Sequence, residues 1–427
     1  MHTSPILNKY AMLVLCSAAS ALLHGQEVLL NQTFRGDIKS VQAYPVGNAL
    51  GYPLVELGTS DALEFHYDEM TTDLNTHNYT VLHCDHNWHQ SDLSANEYLQ
   101  GFNAQTITEF EAGFNTQIEY VHHTFTFPND MMKPRYSGNY AVVVYNGNDA
   151  EDRSQWLITY RVVVYEQAVG MSINAGGTAL IAERYKSQDV DVAIQYEALV
   201  INDPQRDVHV TLIQNMDWTT SINQLKPQFV NANTLQYDYN MGENTFKGGA
   251  EYHHFETKSI QYSSIEVEHI ALEDDGYHAY LRPDMAGADR AYSTQADING
   301  NFLVKNDLAD NPHTEADYVW VHFQLQTMEM KELAVFIEGR ANQFETQKWT
   351  CTYDEKLKAY TCTVLLKQGY YNYRYRTLNL YSKDATLDYT EGNFSNTEND
   401  YHAIAYWYDR AKGCDRVIAL VADNSVR

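Results

Sequence analysis

Three histidines, a cysteine and an aspartate fall within seven residues, His83-Cys84-Asp85-His86-Asn87-Trp88-His89. Imidazole, thiolate and carboxylate together are the donor set of zinc. The spacing argues against that use. Neighbouring residues of an extended strand point to opposite faces, so His83 and Cys84 do not easily share an ion. No Cys-x-x-Cys or spaced His pair supplies the second half of a structural site. The block reads instead as the end of a strand, with Cys84 small and buried, Asp85 bonding loop amides and Trp88 covering a sandwich edge. No metal and no cofactor is expected.

Other chemistries lack a frame. Carboxylates abound, but none sits in a distinctive pair for glycoside hydrolysis. The sequence has no Gly-x-Ser-x-Gly elbow, no phosphate-cradling glycine loop and no His-Glu-x-x-His helix. The expected protein is therefore not an enzyme and has no catalytic residues. A formal net charge of −27 repels nucleic acid and anionic lipid headgroups, and it serves either simple solubility or long-range steering toward a basic partner.

A second pair of residues could do chemistry on itself. The segments Trp349-Thr350-Cys351-Thr352-Tyr353 and Tyr360-Thr361-Cys362-Thr363-Val364 mirror each other about a short loop. In that register Cys351 faces Cys362, and Tyr353 faces Tyr360. Directly opposed strand residues have Cα atoms roughly 4.5–5.5 Å apart, a distance that a disulfide spans. A Cys351–Cys362 bridge is the expectation; two buried thiols side by side is the alternative.

The elements that hold these residues are strands. With 33 Tyr in the chain, and with short alternating runs recurring along it, the composition suits pleated, half-buried surfaces. Runs at 38–41, 62–67, 78–83, 117–125, 138–145 and 156–165 predict a first immunoglobulin-like β-sandwich over 38–166. A helical turn is expected at 94–99, where Ser94 precedes Glu97 by three residues in a capping-box pattern. A second β-rich domain is expected over 167–312, with strands at 190–202 and 208–214 paired around the turn 202–205. A third, resembling early-set sandwiches, is expected over 313–427. Its strand 318–325 alternates cleanly, with Val319, Val321, Phe323 and Leu325 facing one way. The fold class is all-β, in tandem sandwich domains. Residues 1–25 read as a secretory signal peptide with a short apolar core from 11 to 23, followed by an extension over 26–37. No later stretch approaches the ~20 apolar residues of a membrane helix.

The order of several blocks carries a family resemblance. Ile38-Lys39-Ser40-Val41-Gln42, His83-Cys84-Asp85…Trp88, Glu97-Tyr98-Leu99-Gln100-Gly101-Phe102, Tyr120-Val121-His122-His123, Phe127-Pro128-Asn129 and Ser137-Gly138-Asn139-Tyr140 resemble the N-terminal domain of the plug proteins of the type IX secretion system of Bacteroidota. The blocks 366–373 and 391–401 fit as well. The resemblance implies a periplasmic protein, a monomer within a hetero-complex, that seals the periplasmic mouth of the outer-membrane translocon barrel. It assigns no active site. His83, Cys84, Asp85, Trp88, Glu97, Tyr98, Gly101 and Phe102 are motif residues that either hold the domain or face the partner, and for Trp88 and Phe102 the core is the expectation. His86 and His89 lie outside the pattern and read as incidental. The competing class is carbohydrate binding by the third domain, where Tyr371, Tyr373 and Tyr375 alternate to one side and would form either a stacking platform or core.

Overall fold

The structure, a computed structural model, describes residues 27–197, 199–287, 291–344 and 349–426. The expected signal peptide lies outside the described residues. Within them the molecule is all-β, with sheets that are almost entirely antiparallel. No helix among the described residues is long and apolar enough to cross a membrane.

The first sandwich faces the sheet built on Asn78–Cys84, Gly138–Tyr145 and Trp156–Tyr165 against the sheet Ile38–Pro45, Leu63–Glu69, Val121–Phe127 and Glu109–Ala112. Phe65, Tyr79, Phe125, Phe127, Tyr140 and Tyr160 fill the space between. The run Trp156–Tyr165 is buried at nearly every position rather than at every second one. Its reason lies on the far side, where Trp156 and Val163 join Ala141, Val143, Ile404, Tyr406 and Val417 in a second core. A strand covered on both faces loses its alternation.

The strands after residue 166 group differently from two consecutive blocks. Gly170–Gly177, Ser187–Gln195 and Thr234–Tyr237 form one sheet, and the facing sheet combines Val208–Gln214 with the far hairpin Asp400–Asp409 and Cys414–Asn424. One core joins Val190, Val192 and Leu235 to Tyr401, Ala403 and Ile418. The second sandwich is thus closed by residues 400–424. The segments 190–202 and 208–214 do not pair; they lie in opposite sheets, and the chain between them crosses over.

The third body, from His253 to Thr386, is a continuous eleven-stranded sheet wrapped around its own core. Val319, Val321, Phe323 and Leu325 all face inward, as their alternation predicts. Tyr371, Tyr373 and Tyr375 are also core, packed on Phe255, Phe302 and Phe323. They form no stacking platform for a sugar.

Candidate functional site

The block 83–89 is a clasp between bodies. Cys84 ends its strand opposite Asn139, with no exposed surface, and burial pushes its thiol up to about 12. Asp85 Oδ1 accepts from the amides of Asn87 (2.8 Å) and His89 (2.9 Å), an Asx-type turn. The turn carries Trp88 at φ +68° into a buried position against the edge of Trp218, with the Arg161 guanidinium 4.6 Å over its ring. His83 is buried beside Tyr140, and burial lowers its imidazole to about 4. Gly138 makes room for it: a Cβ there would lie 2.4 Å from His83 Nε2.

His86 is not incidental. Its Nδ1 and its backbone amide both meet Asp415 Oδ2, at 2.8 and 3.0 Å, and its ring stacks on His209 at 4.1 Å. Asn139 completes the clasp by donating to the Asp85 carbonyl and accepting from Tyr406. His86 therefore ties the first sandwich to both strands of sequence that close the second.

The helical turn forms as expected over Ala95–Tyr98, with the Glu97 carboxylate accepting from the Ser94 amide at 2.8 Å and the Ser94 hydroxyl at 2.7 Å. Tyr98 is buried and donates to the Val81 carbonyl. Gly101 follows at φ +101°, where a Cβ would lie 2.1 Å from the Met131 carbonyl oxygen, so the turn accepts glycine alone. Its product is a correction. Phe102 is 57% exposed, beside Met131 at 51%, and belongs to a surface tip rather than to the core. The backbone, bonded from Phe102 N–H to the Met131 carbonyl, aims the ring outward.

Two histidine groups lie where the linear reading did not look. In the ladder between Leu63–Glu69 and Val121–Phe127, Asp68 opposes His122 and Tyr67 opposes His123. Alternation sends one member of each adjacent pair to each face. Inward go Tyr67, Glu69 and His123, which meet His77; all four are almost wholly buried. Outward go His66, Asp68 and His122, which meet His313 of the third body. Adjacent histidines inside one strand were the available signal, because they put an imidazole on each face wherever the strand lies.

The outward group is organised by Asp68. Its carboxylate receives His122 Nδ1 (2.7 Å), the Tyr318 hydroxyl (2.7 Å) and Lys367 Nζ (2.6 Å), the last two from the third body. Burial alone would raise this carboxyl; Lys367 and His122 together hold it well below the usual carboxylate range. Burial lowers His66 to about 2 and His313 to about 4, and lowers His122 against the pull of Asp68. His66, His122 and His313 line an open cleft together with Glu109 and Glu111.

Cys351 and Cys362 come together on adjacent strands, in the ladder that pairs Thr352 with Thr361 and Tyr353 with Tyr360. Their sulfurs stand 2.8 Å apart.

Three comparisons bear on identity. Residues 38–166 match the family described as the Type 9 secretion system plug protein 1st domain. Among solved structures, a hypothetical protein from Parabacteroides merdae is similar at a TM-score of 0.88 and 28% identity, covering 94% of this chain and 100% of that one. No curated protein matches.

Proposed function

The chain carries the first domain of the type 9 secretion system plug proteins over residues 38–166, and on that premise we propose that it is the plug itself. In this reading it stands in the periplasm, its leader removed, against the inner face of the outer membrane. It binds the periplasmic opening of the translocon barrel and closes it while no substrate passes. It acts by shape, as one member of a hetero-complex, without catalysis or cofactor.

The family match carries the proposal, and the geometry agrees with it. A plug must resist deformation, and Trp88, His86 and Asn139 fix the first sandwich against the second through Trp218, Asp415 and Tyr406. Paired buried polar groups of this kind, His86 with Asp415 and Asn139 with Tyr406, favour one fixed arrangement of the bodies. The Gly101-built tip exposes Phe102 and Met131 side by side, and we assign the barrel contact to it first. Affinity purification of the tagged protein from detergent-solubilised envelopes tests the role. The translocon barrel is expected in the eluate, and loss of the gene is expected to make the outer membrane leaky to large antibiotics. Neither effect in a strain that expresses the translocon would end the proposal.

In the oxidising periplasm we also propose that Cys351 and Cys362 form a disulfide. Alkylation of the purified, denatured protein is expected to label this pair only after reduction. Labelling without reductant would show two thiols.

A further inference from the structure

We propose that His66, His122 and His313 form a binding site for a divalent transition metal, zinc foremost, at the seam between the first sandwich and the third body. The proposal is independent of the plug reading. Three imidazoles are a donor set that suits Zn2+, Cu2+ and Ni2+ and not Mg2+ or Ca2+.

The geometry is close to what an ion requires. His66 Nδ1 and His122 Nε2 are 3.1 Å apart, and two imidazole nitrogens on a tetrahedral zinc stand about 3.4 Å apart when each bond is ~2.1 Å. One donor atom from each of the three histidines lies within 4.8 Å of the others. The ring of His313 lies parallel to that of His66 at 4.3 Å, so His313 must turn to complete the set. It sits on the four-residue helix Pro312–Glu315 at the cleft wall, where its side chain is only half-buried.

Two further features fit an ion and are not needed by a bare core. Asp68 accepts from Nδ1 of His122, which fixes the ring and leaves Nε2 as the nitrogen without a proton; it accepts from His66 Nδ1, a bond an ion would replace, and carboxylates hold metal-binding histidines in this way. Glu111 stands opposite His122 in the ladder, on the same face, and with Glu109 it makes the cleft wall acidic. Lys367 is the opposing charge, and its bond to Asp68 offsets it. The cleft also gives an ion a way in. The inner group of Glu69, His77 and His123 has donors too, but Glu69 is already engaged by Arg35 and Asn75.

The test is zinc titration of the purified protein by calorimetry after chelator treatment and dialysis, with thermal unfolding in parallel. One saturable Zn2+ per chain is expected, with a raised unfolding temperature and no response to Mg2+. His313→Ala, on the half-buried wall, is expected to fold normally and to weaken zinc by at least about 100-fold, since losing a ligand costs more than the ~10–100-fold of losing a residue that only orients one. His66→Gln gives the same loss from the other side of the seam. Cobalt is expected to show the strong visible bands of a tetrahedral site, abolished by His313→Ala. No saturable zinc binding, or binding that His313→Ala leaves unchanged, overturns the proposal. Binding lost in His123→Phe and kept in His313→Ala places the ion in the inner group and overturns it equally.

Discussion

His122 and His123 are neighbours in one strand, and the two sides of that strand treat them in opposite ways. On the outer side His122 has a carboxylate at hydrogen-bond distance, a second imidazole beside it and a cleft in front. On the inner side His123 stacks on Tyr67 and His77, and neither of its ring nitrogens has a partner. The outer group joins two bodies; the inner one stays within one sandwich, where His77 bonds the Tyr67 hydroxyl at 2.7 Å and His123 only stacks. Burial by itself therefore does not mark function, and the useful mark is burial together with an organised partner and an approach route.

Acid is expected to have the largest effect, because it strikes both sides. Burial lowers His66 to about 2, His123 to about 3, and His83 and His402 to about 4, from an ordinary value near 6.5. Between those values and 6.5 the unfolded chain binds the protons and the folded one does not. Stability is thus complete above about pH 6.5 and falls as pH drops toward 4, at up to about 1.4 kcal/mol per pH unit for each such histidine. Urea midpoints at pH 7.5, 6 and 5 should decline in that order; a flat series would mean that these rings are not buried neutral.

Next in size is Asp68→Ala, which strands Lys367 in the interior and should cost about 3–5 kcal/mol. Replacing both partners together, Asp68→Leu with Lys367→Met, should recover most of that loss. The comparison itself is sharpened by two equal substitutions. His122→Phe removes the bond to Asp68 and should cost about 1.5–3 kcal/mol, whereas His123→Phe removes two unpartnered nitrogens and should be near neutral or stabilising. Equal costs would break the distinction drawn between the two faces. The smallest effect is expected at the outward tip: Phe102→Ala should change stability by no more than about 0.5 kcal/mol. The same variant should still lower recovery of the translocon barrel, and unchanged recovery would move the contact elsewhere.

Much of this was open to a reader of the sequence wherever a local rule decided the outcome. The alternation at 318–325, the Ser94–Glu97 turn and the Asp85 turn each depend on residues a few positions apart. The histidine groups were hidden because they need a cross-strand register and, for His313, a contact with another body. Phe102 was misplaced because an aromatic in a motif suggests core, while its direction is set by Gly101 packing on a carbonyl some 30 positions away in the chain. The closing of the second sandwich by residues 400–424 had no local signature at all.

That closure has a consequence for how the molecule comes into being. Until residues 400–424 are available, Val208–Gln214 has no neighbour on one side, and the apolar faces of Ala141, Val143 and Val163 have no cover. A growing chain passes through a long stage in which two of its bodies wait with open, adhesive edges for the same late hairpin. A stop codon before residue 400 is therefore expected to open the second sandwich and its seam with the first rather than to trim a tail.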